Sequence, residues 1–265
     1  MIAVSVFADV ALAQSVVTRR EVDLSHHFRG QDACFVLWDV RRGEQMRYRD
    51  DRCAERLTPC STFKIPHALI ALEAGVLTGP EHPRKWDGQV TWNPAWNKDH
   101  TLRTAMSGSV FWYFQATAAE LGEERMKAGL AKLGYGNQDI TGGLRTFWLD
   151  NSLKVSADEQ VAFLYDLQRK SLPFDPRNQR TVKELLVQPG VAAELGTVYA
   201  KTGTAGEPKA DSATLGWYVG WLERAPGGEG DAKEVYIFAA NVKGDFSGRS
   251  IRGIMPAILA ELISE

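Results

Sequence analysis

The sequence predicts an α/β fold of the α+β type: one antiparallel sheet from N- and C-terminal strands, with flanking helices and an inserted all-helical region. Strand-like runs open and close the chain, and helical periodicity fills the middle. The first hairpin is too small to fold alone, so it must join the later strands in one sheet. At 265 residues, 44% hydrophobic and 24% charged, the chain can bury a substantial core.

Residues 1–13 read as the remnant of a signal peptide, a short apolar stretch ending in Ala11, Leu12 and Ala13 before Gln14, although Asp9 interrupts it. Residues 14–265 then form a single catalytic domain. Its sheet lobe covers about 20–60 and 190–265, and its helical lobe about 61–189. Residues 33–40 and 45–50 are two strands around a turn at Gly43. From Ser61 to about Leu72 a buried helix is predicted, ending near Gly75, with Pro66 removing one backbone donor. Residues 80–100, rich in Pro, Trp, Asn and charge, read as loop. Helices follow at 101–121 and 123–133, then a Gly-rich break from Gly134 to Gly143. Ser156 and Glu159 form a capping box opening a helix whose apolar face carries Val161, Phe163, Leu164 and Leu167. A helix at 178–187, strands at 195–204, 213–223 and 234–242, and a closing helix at 251–263 complete the chain. The last two strands are joined by the turn-rich run from Pro226 to Asp231.

The net charge of -2 provides no basic field for nucleic acid. No run approaches the ~20 apolar residues that span a bilayer, so no stable membrane insertion is expected. Of three cysteines, Cys34 reflects through the Gly43 turn onto Cys53, so the two either form a disulfide or remain unpaired core thiols. Cys60 has no histidine spaced to make a thiolate pair and is expected to pack. The five histidines (His26, His27, His67, His82, His100) form no helical metal pair, and no Gly-rich phosphate loop follows a strand.

Chemistry concentrates elsewhere. Ser61 is followed one helical turn later by Lys64, and Lys201-Thr202-Gly203 ends an apolar, strand-like run. A serine hydroxyl is a poor nucleophile until a base within reach takes its proton, and a lysine can do so if its amine is neutral or chemically modified. Ser-x-x-Lys alone arises by chance about once in such a chain, but Lys-Thr-Gly is on the order of twenty-fold rarer. Together they mark Ser61 as a nucleophile for acyl transfer.

With its further motifs the chain resembles the class D serine β-lactamases, the oxacillinases. Those motifs are Ser61-Thr62-Phe63-Lys64, Ser109 with two apolar residues after it, Tyr135-Gly136-Asn137, Trp148-Leu149 ahead of Ser156 to Gln160, and Lys201-Thr202-Gly203. The resemblance runs from about Cys34 to the C-terminus and implies a serine β-lactamase/transpeptidase-like fold. Class A enzymes use Ser-Asp-Asn and a separate glutamate, whereas Asp150-Asn151 lacks the preceding serine and reads as loop.

The resemblance implies hydrolysis of β-lactam antibiotics, hence resistance, through a Ser61 acyl-enzyme. Lys64, carboxylated by CO2 to N6-carboxylysine, would be general base for acylation and deacylation, and Trp148 would donate its indole N–H to the modified lysine. Phe63, Phe111, Trp112 and Trp148 are expected to keep it dry. Ser109, biased by Lys201, would pass a proton to the departing lactam nitrogen. The backbone N–H groups of Ser61 and Thr204 would hold the oxyanion. Thr202, Gly203 and Arg252, preferred to Arg249, would bind substrate. The family usually has Val where this chain has Phe111. No metal is implied, nor any cofactor beyond CO2 or bicarbonate. The partner is a small-molecule β-lactam, not nucleic acid; the protein is periplasmic or secreted, as monomer or dimer. Rivals are a penicillin sensor acylated without turnover, which normally carries transmembrane helices, and a peptidoglycan transpeptidase or carboxypeptidase, against which Trp148 argues.

Overall fold

The structure, a computed structural model, describes residues 17–149, 152–207, 212–225 and 232–264. The signal-peptide reading of 1–13, Asp150-Asn151 and the turn from Pro226 to Asp231 lie outside the described residues.

The chain opens with β1 (Thr18–Glu21), α1 (Ser25–Phe28), β2 (Asp32–Asp39), β3 (Glu44–Tyr48) and one-turn α2 (Asp50–Cys53). A 3-10 turn, Cys60–Phe63, runs into α3 (Lys64–Glu73). The two-residue strands β4 (Pro83–Arg84) and β5 (His100–Thr101) pair across the long loop. The helical region continues with α4 (Leu102–Ser107), α5 (Phe111–Leu121), α6 (Glu123–Leu133), α7 (Ala157–Arg169) and α8 (Pro176–Leu185). Strands β6 (Thr197–Glu207), β7 (Ser212–Arg224) and β8 (Glu234–Lys243) and helix α9 (Gly248–Ile263) close the chain.

The N- and C-terminal strands merge in one six-stranded sheet, β1-β3-β2-β8-β7-β6. Four of its pairings are antiparallel, as expected, but β1 runs parallel to β3. Its sequence, Thr-Arg-Arg-Glu, has no apolar alternation, so only its position at the edge makes it a strand. Successive strand residues alternate between two cores. Phe35, Tyr218 and Phe238 meet Met255 and Leu259 of α9 on one face; Val36, Val219 and Ile237 meet Phe163, Leu164 and Leu167 of α7 on the other. Covered on both faces, β2 reads as a nearly continuous apolar run.

The predicted helix at 101–121 is two helices. Ser109 between them has φ 54°, in the left-handed region that an L-residue adopts only when its surroundings hold it there. This break turns the Ser109 side chain away from a helix surface. Pro66, third in α3, breaks nothing because its missing N–H belongs to the first turn.

Cys34 and Cys53 are bonded, with Cα atoms 5.3 Å apart. They are not cross-strand partners: Phe35 pairs with Tyr48, which puts Arg49 opposite position 34. Arg49, at φ 58°, turns the chain into α2, and that turn swings Cys53 back over β2. The bond closes a loop of sequence separation 19. Breaking it with Cys34→Ser, or with reductant, should cost about 3 kcal/mol of stability. A denaturant midpoint unmoved by reductant would contradict this.

Candidate active site

The nucleophile turn is held from several directions. Cys60 has φ 51°, and its N–H donates to the Trp148 carbonyl at 3.1 Å. Thr62 Oγ1 donates to the Pro59 carbonyl at 2.7 Å and accepts from Gln160 Nε2 at 3.0 Å. On this turn Lys64 Nζ lies 2.9 Å from Ser61 Oγ. Lys64 is only 2% exposed, and burial, reinforced by the charge of Lys201, holds its pKa well below the usual lysine value. A neutral amine in that position can accept the Ser61 proton. The Cys60 thiol is fully buried, and burial pushes its pKa up to about 12, so it is inert packing.

Aromatic rings wall this lysine. Phe114 lies 5.4 Å from Nζ, Phe63 stacks on Trp148 at 5.6 Å, and Phe147 and Phe111 meet Trp148 edge-on at 5.0 and 6.4 Å. Trp112 was expected in this wall but is absent from it. Its indole N–H reaches the Trp96 carbonyl at 2.7 Å and its ring faces His100. On a helix, 111 and 114 share a face while 112 is turned about 100° away.

His67, one turn beyond Lys64, was weighed in the sequence only as a metal ligand. It is buried among Phe63, Phe114 and Trp148, and among the described residues neither ring nitrogen finds a partner. Burial, with Lys64 and Arg84 adding to it, depresses its pKa from 6.5 to about 3. Between those values the unfolded chain binds a proton that the native state refuses, so stability falls as pH drops through this window. The slope approaches about 1.4 kcal/mol per pH unit. His67→Asn should lose less of its thermal midpoint between pH 7 and pH 4 than the parent; equal losses would refute this.

The Trp148 indole is fully buried, and among the described residues nothing accepts from its N–H. An indole can only donate, so this N–H is an unpartnered buried donor on a ring packed against the Phe63 side of the lysine's surroundings. Tyr135-Gly136-Asn137 fixes the segment that carries it. Asn137 donates from Nδ2 to the Ser152 carbonyl at 2.7 Å and accepts from Lys154 N at 2.8 Å. Gly136 has φ 57°, and a Cβ there would lie 2.2 Å from the Lys154 carbonyl, so no other residue fits. The Trp148 carbonyl in turn accepts from Cys60 N and from Thr58 Oγ1, tying this segment to the nucleophile turn.

Strand β6 is the sheet edge facing that turn. Ala200 N donates outward to Leu186, and Val198 O accepts from Gln188, so even-numbered residues present their peptide groups away from β7. The same parity turns the Thr204 N–H into the cleft, and Thr202 O accepts from Lys201 Nζ at 3.1 Å. Gly203 admits the nucleophile turn: a Cβ there would be 3.0 Å from the Pro59 carbonyl and 3.2 Å from Thr62 Cγ2. Lys201 Nζ also meets Ser109 Oγ at 3.1 Å. Burial, with help from the charge of Arg252, lowers the Lys201 pKa to about 7. Arg252, on α9, lines a crevice with Ser107, Lys201 and Thr202, whereas Arg249 is exposed outside it. Thr204 Oγ1 is engaged by the Gly248 N–H at 3.0 Å.

Thus two serine–lysine pairs, Ser61–Lys64 and Ser109–Lys201, lie across one cleft, with Trp148 behind the first and Thr202 and Arg252 beside the second. Gln160 was read only as part of a motif. Its signal was a polar residue on the otherwise apolar face of α7, where it now steadies Thr62.

The family described as the penicillin binding protein transpeptidase domain matches residues 28–251. A curated relative, "Probable beta-lactamase YbxI" of Bacillus subtilis (strain 168), is 38% identical over 239 residues, 90% of this chain and 84% of its own. Among solved structures, class D beta-lactamase BAT-2 is similar with TM-score 0.82 and 38% identity, covering 91% of this chain and 95% of that one. The C-terminal domain of the Bacillus licheniformis BlaR penicillin-receptor is also similar, with TM-score 0.83 and 30% identity over 92% of this chain and 96% of that domain.

Proposed function

The chain belongs to the class D serine β-lactamase family and hydrolyses β-lactams, and we propose that it does so through an acyl-enzyme on Ser61. The observation that carries this is the 2.9 Å contact between Lys64 Nζ and Ser61 Oγ inside a water-poor aromatic pocket. Carboxylation of Lys64 by CO2 would supply a carboxylate able to take the Ser61 proton in acylation and a water proton in deacylation. The pocket's residues fit such a group: burial shifts the amine toward its neutral form, which addition to CO2 requires, and the unpartnered Trp148 N–H offers it a donor.

Ser61 Oγ attacks the lactam carbonyl. The Ser61 and Thr204 N–H groups receive the oxyanion, each such donor being typically worth about 3 kcal/mol of barrier. Ser109 gives its proton to the departing nitrogen. Lys201, with a pKa of about 7, can replace that proton near neutrality. Thr202 and Arg252 pair with the substrate carboxylate and Gly203 leaves room for it. Phe111, edge-on to Trp148, covers the pocket and governs water access.

Among the described residues no helix is long and apolar enough to cross a membrane. We assign the protein to the periplasm or the exterior after loss of residues 1–13, which the Cys34–Cys53 bond supports because disulfides persist in oxidising compartments. It acts there as monomer or dimer, on a single catalytic domain.

Purified protein should turn over a chromogenic cephalosporin, faster with added bicarbonate, and mass spectrometry should find the transient adduct on Ser61. Stoichiometric acylation without turnover would instead match a receptor of the BlaR type. Activity indifferent to bicarbonate would remove Lys64 carboxylation.

A further inference from the structure

A second cluster lies far from this cleft in the sequence. His26 and His27 sit in α1, and Glu261 in the last turn of α9. The rings of the two histidines are 4.1 Å apart, and both Nε2 atoms converge on one carboxylate oxygen, Glu261 Oε2, at 3.2 and 2.8 Å. Each residue offers one donor atom, and all three donors lie within 4.8 Å of one another. Histidines that form no i, i+4 pair on a helix gave no metal signal in the sequence; the third donor comes from the other end of the chain.

We propose that His26, His27 and Glu261 form a surface site for a divalent transition ion, zinc being the probe of choice, with water completing the coordination. Two imidazoles and one carboxylate suit zinc and its neighbours better than magnesium or calcium, which prefer all-oxygen shells. In a tetrahedral zinc site with bonds of about 2.0–2.1 Å, donor atoms stand about 3.3 Å apart. Both histidine–carboxylate edges already match this to within about half an ångström. The remaining adjustment falls to His26, whose side chain is 59% exposed.

The frame beneath is rigid. Leu24 and Phe28, bracketing the two histidines, are fully buried in the same core as Leu259 and Leu262, which bracket Glu261. The helices that present the donors are thereby fixed to each other, so little ordering remains for the ion to impose. A bound ion would strap the first described helix to the last and stabilise the native state by mass action.

The test is calorimetric titration of the whole chain with zinc chloride alone, with thermal unfolding in zinc and in chelator. Saturable binding of one ion per chain is expected, with a midpoint raised by zinc and restored by chelator. His26→Ala and Glu261→Gln should each weaken binding by more than the roughly tenfold typical of losing a ligand's outer partner. His82→Ala, at a histidine outside the cluster, should leave it intact. Absence of saturable binding at millimolar zinc, equal binding in the His26 and Glu261 variants, or loss in His82→Ala would each overturn the site. Because none of these readouts uses β-lactam turnover, the outcome is independent of the Ser61 mechanism.

Discussion

Lys64→Ala is expected to lower kcat by about 10²- to 10⁴-fold, the span that a positioned general base usually supplies. Lys64 alone stands within hydrogen-bond reach of Ser61 Oγ among the described titratable side chains, and its pocket leaves little room for bulk water to substitute. The loss should fall more heavily on deacylation, because an activated lactam can acylate slowly with little help while the ester needs an activated water. Mass spectrometry should accordingly find Ser61 acylated long after the parent enzyme has released product, and bicarbonate should no longer affect the rate. Turnover within about tenfold of the parent would show that Lys64 is not the base.

Trp148→Phe is the second large effect. The substitution keeps an aromatic ring against Phe63 but removes, with part of the indole's volume, the N–H that nothing described accepts. If that donor serves a carboxylated Lys64, the loss is a hydrogen bond to a charged group, about 1.5–3 kcal/mol. The bicarbonate concentration giving half-maximal activity should rise about 10- to 100-fold, alongside a lower thermal midpoint from the volume lost in the core. An unchanged bicarbonate requirement would assign the indole to packing alone.

Much of this was legible in the sequence because the signals were local. Lys64 follows Ser61 by one turn, and Lys201 follows an apolar, strand-like run, so residue type and spacing sufficed. What escaped depended on backbone details or distant partners. Ser109 breaks a helix through a left-handed φ that nothing in Ser-Gly-Ser-Val demands. Cys53 reaches Cys34 through a turn that shifts it off the cross-strand position. Trp112 and Phe114 exchange roles because helical phase, not hydrophobicity, chooses which ring faces Lys64. His67 carried a signal, an imidazole on the Lys64 face, but its isolation from any partner is visible only in three dimensions.

The bare edge at Gly203 sets a limit on what inhibitors can do. Main chain there presses on main chain, with the Pro59 carbonyl at the position a methyl group would crowd. A seam closed by a backbone carbonyl, with the buried Thr62 methyl and Trp217 Cβ behind it, has little freedom to part, so bulky drugs should gain little room there by induced fit. Changes that admit bulkier compounds are therefore expected at the rim, in the loops around the cleft, while the jaws themselves keep a constant gauge.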